Sequence, residues 1–356
     1  MTVYAVTVGL SPLSPLGAIS ALTPLDDDEV VLLHTNGSAE VAKAVANAVK
    51  EMLPGLKVKQ RSLGDGSSTP EMIRCLFGLE NAVPVIAGGT NAMVLAVRSV
   101  LGSTGWFCDV DGFELRCDDD QEERREIPRL GIAGKGDPLL ALARLHSIKG
   151  GDLSSTSAGG HAEPMLNTII SNGEELLHAF PASGAEAPNG WDIGGLGYPP
   201  TFNGLSHEDA AGAAAEAYVL WAAEQVLRGR LEEDLALFSN WTLMNNGLHV
   251  IEFDVLVSRG QLVAVVDASA MKKPGGIADK VAQVAYKARQ CFGEFVSTAV
   301  FCTASDARVA EVSTLWDTPW HEKTKIFNPN AMKVSEGGSL ADSAFGEWLL
   351  RAVRLQ

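Results

Sequence analysis

The chain has 356 residues, of which 46% are hydrophobic and 20% charged, which is enough apolar sequence for two globular cores. A net charge of −16 argues against a broad surface for binding nucleic acid, although a local basic groove could coexist with an acidic body. No apolar run is long enough to cross a membrane, and the five cysteines include no Cys-x-x-Cys pair, so neither a membrane partner, a zinc ribbon nor a disulfide framework is expected.

Strands and helices alternate in the N-terminal part. Apolar runs predict strands at residues 3–8, 30–34, 56–63 and 83–87, with helices after the second and the fourth. Each strand ends in a short polar or Gly-rich loop. This order is typical of a doubly wound α/β domain, in which ligands bind outside the carboxyl ends of the strands.

The loops after these strands contain the candidate ligand-binding residues. Gly88-Gly89-Thr90, between a strand and a helix, would bring backbone N–H groups and a helix dipole close to an anion. It is neither Gly-x-Gly-x-x-Gly nor a P-loop, and alone it could be a tight turn. The candidates from the four loops together are Gly9, Ser11, Pro12, Leu13, Thr35, Asn36, Gly37, Ser38, Asp65, Gly88, Gly89, Thr90, Asn91 and Met93.

Residues 105–205 are predicted to connect two domains. The segment 105–116 has the pattern of a two-stranded ribbon turned at Asp111-Gly112, and 137–146 that of a short helix. The stretches 150–164 and 181–204 are rich in Gly, Ser, Ala and Pro, which predicts long loops.

The C-terminal part, residues 206–356, follows the order helix, three strands, helix, strand. Helices are predicted at 210–228 and 277–291, and strands at 235–243, 250–257, 261–267 and 295–303. A strand at 325–328 and a helix at 339–355, capped by Ser339, complete the domain.

Acidic residues mark the ends of two neighbouring strands. Strand alternation puts Glu252 and Asp254 on one face, and a hairpin turned at Ser258-Arg259-Gly260 would bring Asp267 close to them. Converging carboxylates repel each other unless a divalent cation neutralises them, as in Mg and Mn sites. The alternative is an ordinary half-polar sheet edge.

This element order resembles the restriction-endonuclease-like nuclease fold, whose pattern is a helix-borne Glu, an Asp on the second strand and Glu-x-Lys on the third. Glu216, Asp254 and Asp267 match the three acids, and the lysine position holds Ser269. The resemblance implies that these acids, with Glu252 beside them, hold Mn or Mg. Lys272 is our candidate for the missing lysine, and Lys273 and Lys280 are also within reach. The arginines near the proposed acids in the sequence are Arg228, Arg230 and Arg259.

The N-terminal loops resemble the CRISPR-associated Rossmann-fold sensor domain. The matching motifs are Gly-x-x-Pro-Leu after the first strand, His-Thr after the second and Gly-Gly-Thr-x-x-Met after the fourth. The family often carries Lys after Gly-Gly-Thr, whereas this chain has Asn91, which removes a charge that would meet a phosphate.

The order of a sensor domain followed by a nuclease domain resembles that of the CRISPR ancillary nucleases of type III systems. The resemblance implies a sensor domain at 1–104 that binds cyclic oligoadenylate, above all cyclic tetra-adenylate, across a homodimer axis. The effector domain at 206–356 would then cut single-stranded RNA or DNA, or nick duplex. The N-terminus lacks the charged region of a signal peptide, so we expect a cytoplasmic protein.

Two other functions fit the sequence. Ser269 and Asn91 favour a catalytically weak or inactive sensor that binds the messenger and signals through a partner. The acids could instead be incidental in a nucleotide- or sugar-binding α/β enzyme.

Overall fold

A computed structural model describes residues 1–109, 113–118, 123–130, 138–146, 152–157, 207–230, 235–269, 271, 273–315, 324–334 and 338–355. Lys272, the turn at Asp111-Gly112 and the loop predicted at 181–204 lie outside this set. The chain divides into two compact units, Met1–Gly150 with Cys291–Phe295 and Gly151–Gln290 with Val296–Gln356. Within the described part of the chain, no helix is both long and apolar enough to cross a membrane.

The first unit is built on a sheet with strand order β3-β2-β1-β4-β5-β6-β7. Pairing is parallel from β3 to β5 and antiparallel from β5 to β7. The strands are β1 (Val3–Thr7), β2 (Glu29–His34), β3 (Lys57–Ser62), β4 (Val83–Ile86), β5 (Trp106–Asp109), β6 (Glu114–Cys117) and β7 (Arg124–Glu126). Helices described in this unit are α1 (Leu13–Leu22), α2 (Ala39–Met52), α3 (Thr69–Cys75), α4 (Asn91–Leu101) and α5 (Pro138–His146).

Apolar spacing explains how these elements pack. Val41, Val45 and Val49 recur every four residues along α2 and are buried, so this helix presents one apolar stripe to the sheet. The central strands β1 and β2 are buried over most of their length, as expected for parallel strands covered on both faces. The predicted doubly wound fold of the N-terminal part is confirmed.

The ribbon predicted as a connector extends the first sheet. β5 pairs with β4 in parallel, with Val85 opposite Trp106, and β6 and β7 follow as antiparallel neighbours. Trp106 and Leu115 are buried, and this burial holds the ribbon in the unit. The first unit therefore continues past residue 104, where the sequence suggested its end, to Gly150.

The short segment Gly293–Phe295 also packs in the first unit. The hydroxyl of Ser14 on α1 donates to Oε1 of Glu294, and the rings of Phe113 and Phe295 lie 4.6 Å apart. His146 is packed against Gly293, and burial lowers the pKa of its imidazole to about 4, against the opposing charge of Glu294.

The second unit contains a sheet of order β13-β12-β11-β10-β9-β8. Pairing is antiparallel from β8 to β11 and parallel from β11 to β13. The strands are β8 (Leu153–Ser157), β9 (Leu235–Asn245), β10 (Leu248–Arg259), β11 (Leu262–Ser269), β12 (Val296–Cys302) and β13 (Thr324–Phe327). The helices described are α6 (His207–Leu227), α7 (Pro274–Phe292), α8 (Asp306–Leu315) and α9 (Ala344–Ala352).

The predicted order of helix, three strands, helix and strand is confirmed as α6, β9, β10, β11, α7 and β12. β8 is an addition, since the sequence predicted only loop at 150–164. The predicted C-terminal helix is shorter, because Ser339 caps a 3-10 turn and the hydroxyl of Ser343 caps α9 by accepting from the N–H of Gly346.

The hairpin between β10 and β11 turns one residue later than predicted. Arg259 pairs with Leu262, so the two-residue turn is Gly260-Gln261. Arg259 is only 3% exposed, and its guanidinium donates to the carbonyl oxygens of Val353 and Arg354 at the end of α9. Its charge stabilises the end of a helix instead of lining a basic groove.

Candidate functional site

The loops after β1 and β4 meet at the point where the strand order of the first sheet reverses. A Cβ atom on Gly9 would lie 2.7 Å from the backbone nitrogen of Gly89, and one on Gly88 would lie 3.1 Å from that of Gly9. This close approach requires glycine, and φ values of 153° at Gly88 and 100° at Gly89 require it again. Doubly wound sheets bind ligands at such reversal points.

The start of α4 adds a helix dipole to the same place. Thr90 caps the helix, its hydroxyl oxygen accepting a hydrogen bond from the N–H of Met93 at 3.3 Å. Gly88, Gly89, Thr90 and Asn91 are all exposed. Exposed backbone beside a helix N-terminus suits a phosphate or another anion.

The loops after β2 and β3 are joined by hydrogen bonds. The N–H of Asn36 donates to the carbonyl oxygen of Gly64 at 2.7 Å. Asp65 is exposed, and its carboxylate accepts from both the hydroxyl and the N–H of Ser67, which hold its pKa below the usual range. A charged Asp65 would repel a phosphate but accept a hydrogen bond from a ribose hydroxyl.

Four of the predicted ligand residues are buried: Pro12, Leu13, Ser38 and Met93. The hydroxyl of Ser38 donates to the carbonyl oxygen of Val8 at 3.0 Å and accepts from the N–H of Thr35 at 3.1 Å. These buried side chains shape the loops. We call the exposed or partly exposed remainder the ligand loops: Gly9, Ser11, Thr35, Asn36, Gly37, Asp65, Gly88, Gly89, Thr90 and Asn91.

Two aspartates of the second unit face each other across neighbouring strands. Val255 pairs with Val266, and continuing this antiparallel register by one residue puts Asp254 opposite Asp267. The N–H of Ala268 donates to Oδ2 of Asp254 at 2.6 Å and fixes that carboxyl. The predicted convergence of these two acids is therefore seen in the structure.

The paired aspartates strongly disfavour two negative charges. Burial raises the pKa of Asp254 well above its usual range, and the charges of Asp267 and Glu216 and a hydrogen bond to Asp267 raise it further. A proton shared by the pair would relieve this repulsion. A divalent ion could replace that proton.

Glu216 influences this pair without completing a ligand set. Burial raises the pKa of Glu216 to about 7, the charges of Glu252 and Asp267 add to the shift, and Lys280 opposes it. Among the residues described by the structure, no three or more His, Cys, Asp or Glu side chains are arranged to hold a metal ion.

The neighbours of Glu216 on α6 pack against one face of the second sheet. Val255 and Val266 pack in one core cluster with Ala215 and Ala217, which flank Glu216 on α6. The paired aspartates, one residue along each strand, therefore project to the opposite face of the sheet.

Glu252 lies at the edge of the site. Its side chain is 51% exposed, and its carboxylate lies 3.4 Å from Nε2 of His249. It shares the alternation of Asp254, as predicted, but sits nearer to solvent.

The side chain that approaches Asp267 is Lys280. Its ammonium nitrogen lies 2.7 Å from Oδ1 of Asp267, and 27% of its side chain is exposed. Burial alone would lower the pKa of Lys280, but the carboxylates of Asp267, Asp254 and Glu216 outweigh burial and raise it.

Proximity in sequence to Asp267 favoured Lys272 over Lys280 for the lysine role, and Lys272 lies outside the described residues. A signal for Lys280 was present, because Ile277, Val281 and Val284 form the buried stripe of α7 and Lys280 falls between them at helical spacing. Ser269, at the usual lysine position, uses its hydroxyl oxygen to accept from the N–H of Met271 at 3.3 Å.

The donors present suit a divalent ion in kind and charge. Two facing carboxyls are hard oxygen ligands, and a cation would relieve the repulsion between their charged forms. Asp254 and Asp267 would hold such an ion, and Glu216 and Glu252 would add negative charge around them.

No protein-family model and no curated protein matches the chain by sequence. Among solved structures, Can2 from Sulfobacillus thermosulfidooxidans, in complex with cyclic tetra-adenylate, is similar with a TM-score of 0.58 and 12% identity, over 92% of this chain and 95% of Can2. Protein VC1899 from Vibrio cholerae is similar with a TM-score of 0.62 and 10% identity, over 99% of both chains.

A type III CRISPR defence DNA nuclease activated by cyclic oligoadenylate is also similar, with a TM-score of 0.50 and 15% identity. The similarity covers 98% of this chain but 51% of that one, so our chain spans about half of its length. Identities this low establish shared fold. The predicted fold class, a Rossmann-like unit followed by a restriction-endonuclease-like α/β unit, is confirmed.

Proposed function

We propose that the chain is a cyclic-oligoadenylate-activated, metal-dependent nuclease of type III CRISPR antiviral defence, acting in the cytoplasm as a homodimer. The observation that carries the proposal is the combination of glycine-lined ligand loops in one unit with the buried Asp254–Asp267 pair in the other. The fold shared with Can2, whose structure contains cyclic tetra-adenylate, supports the same assignment.

The ligand loops suit a ligand with several phosphates. Gly88, Gly89 and the start of α4 offer exposed backbone N–H groups and a positive helix end, which bind anions without a basic side chain. Asn91 supplies an amide where a lysine would supply a charge. We therefore propose that backbone groups provide most of the phosphate contacts for cyclic tetra-adenylate.

A homodimer follows from the symmetry of the proposed ligand. A two-fold symmetric ring matches an isologous two-fold interface, with one ligand for two subunits. Leu10, in the loop after β1, is 75% exposed, and a second subunit would cover this apolar side chain.

In the second unit, Asp254 and Asp267 would hold Mn or Mg, with Glu216 and Glu252 adding negative charge. Such an ion supplies an activated water and neutralises charge on the phosphate under attack. The N–H of Ala268 would hold the Asp254 carboxyl in place for this role. The substrate would be single-stranded RNA or DNA, or duplex that is nicked.

A substrate panel tests the proposal. Labelled single-stranded RNA, single-stranded DNA and duplex DNA are incubated with cyclic tetra-adenylate and Mn, Mg or EDTA. We expect cleavage of at least one substrate with Mn or Mg and none with EDTA. Absence of cleavage of all three, or cleavage that survives EDTA, would refute a metal-dependent nuclease.

A second function is a messenger sensor with a weak or inactive effector unit. It is favoured by Ser269 at the lysine position and by the incomplete ligand set around Asp254 and Asp267 in the described residues. Tight binding of cyclic tetra-adenylate without cleavage of any substrate would support this function over the first.

A further inference from the structure

Lys280 occupies a position on α7 where a charged side chain is costly. Ile277, Val281 and Val284 on the same side of the helix are at most 1% exposed. A lysine among them loses hydration that only a partner can replace. The partner is Asp267, at 2.7 Å from the ammonium nitrogen.

Position 269 and Lys280 serve the same region of the sheet. Residues 267 and 269 lie two apart on β11, so their side chains project to one face, and Lys280 meets Asp267 on that face. A lysine at 269 would therefore project to the face on which Lys280 meets Asp267. Ser269 itself brings no charge, and its hydroxyl is engaged with Met271.

We propose that Lys280 is the catalytic lysine of this nuclease, supplied by α7 in place of the side chain missing at position 269. The inference rests on the proposed nuclease function. In it, the ammonium group donates hydrogen bonds to the attacking water or to a non-bridging phosphate oxygen, and its fixed charge stabilises the transition state. Asp267 holds the ammonium group in place.

The chemistry balances without a proton from Lys280. The water oxygen forms a bond to phosphorus while the bond from phosphorus to the leaving oxygen breaks. Bulk water accepts one proton from the attacking water and returns one to the leaving oxygen. Lys280 remains an ammonium ion throughout, so its contribution is position and charge.

The competing explanation is that Lys280 only neutralises Asp267 and stabilises the unit. The two roles predict different results when the charge is moved. If Lys280 only stabilises the unit, the lysine is needed at position 280 itself. If its charge is catalytic, a lysine placed at position 269 on β11 can replace it.

The test compares wild type, Lys280→Met, the double variant Lys280→Met with Ser269→Lys, and the control Lys287→Met on the same helix. Cleavage rate and Mn affinity, the latter by calorimetry, are measured on full-length protein with cyclic tetra-adenylate. We expect Lys280→Met to bind Mn as tightly as wild type or more tightly, because a competing cation has gone, yet to cleave about a hundredfold more slowly. The double variant should regain about tenfold or more of that loss, and Lys287→Met should match wild type.

Three outcomes would overturn the inference: wild-type cleavage by Lys280→Met, no gain in the double variant, or loss of Mn binding together with cleavage. If Lys280→Met does not fold, Lys280→Gln keeps a polar contact with Asp267 and is expected to lose cleavage equally. A wild type that cuts nothing under these conditions refutes the proposed function itself. If wild type cuts and Lys280→Met cuts equally well, only the role of Lys280 is refuted.

Discussion

The sulfur atom of Met93 occupies the space into which a side chain on Gly89 would project. Because of this sulfur atom and the φ of 100° at Gly89, any substitution at Gly89 would strain the loop, whatever its effect on a ligand. Messenger binding is therefore better tested at a position that tolerates a side chain. Asn91, exposed at the first turn of α4, is such a position.

Asn91→Glu should weaken binding of cyclic tetra-adenylate at least about tenfold, or about 1.4 kcal/mol. The added carboxylate would repel phosphate, while its place at a helix N-terminus favours the fold. Calorimetry measures the change, with Asn47→Glu, the same substitution at an exposed position of α2, as the control. If a folded Asn91→Glu variant binds cyclic tetra-adenylate as tightly as wild type does, the ligand loops are not the messenger site.

Asp254→Asn should weaken Mn binding by about tenfold or more and abolish detectable cleavage. The amide cannot carry the negative charge with which Asp254 would hold the cation. Messenger affinity should stay at the wild-type value, because the ligand loops belong to the other unit. Asp279→Asn, exposed on α7 beside Lys280, is the matched control, and a cleaving Asp254→Asn variant would contradict the assignment of the metal pair.

Local patterns were enough to predict the paired aspartates. Alternation along a strand and a short hairpin are sequence-local, and together they put Asp254 opposite Asp267. The buried role of Ser38 depends on the carbonyl of Val8, 30 residues away. The buried role of Arg259 depends on carbonyl groups at least 94 residues away. No local pattern encodes such contacts.

Lys280 makes a contact that a physical rule could have predicted. Proximity in sequence favoured Lys272, whereas the apolar stripe of α7 singles out Lys280 as the lysine that needs a buried partner. Glu216 shows the reverse case. Its place on α6 was predicted, but the face of the sheet against which α6 packs depends on contacts between residues distant in sequence.

Metal-free protein should become less stable as pH rises toward and past 7. Burial, with the charges of Glu252 and Asp267, raises the pKa of Glu216 from 4.5 to about 7 in the fold. Between these values the folded state binds the extra proton, so stability falls as pH rises from 4.5 and the loss is complete above about 7. Asp254 is shifted in the same direction.

Thermal unfolding in EDTA at pH values of about 5.5, about 7 and about 8.5 measures this dependence. Glu216→Gln should show a smaller fall in the unfolding temperature than wild type. Mn should restore the unfolding temperature of wild type at the highest pH, because the cation would neutralise the carboxylates that have lost their protons. Glu71→Gln, exposed in the first unit, is the control. An identical pH profile for wild type and Glu216→Gln would contradict the shifted carboxyl.

Gly293→Ala should destabilise the first unit by about 1–3 kcal/mol. The φ of 76° at Gly293 disfavours alanine, and the added Cβ would collide with the buried ring of His146. Denaturant unfolding measures the loss. Gly212→Ala on α6, where a Cβ meets no atom within 4 Å, is the matched control and should be neutral or stabilising. Equal stability of wild type and Gly293→Ala would show that Cys291–Phe295 is not packed as described.

The central claim is that a messenger bound in one unit switches on hydrolysis in the other. The most direct measurement is the initial rate of cleavage with saturating Mn, with and without cyclic tetra-adenylate, on the substrate that the panel identifies. We predict that the messenger raises the rate by at least about tenfold, equivalent to about 1.4 kcal/mol of coupling between the two sites. The same rate with and without messenger, in protein shown by calorimetry to bind it, would contradict the claim.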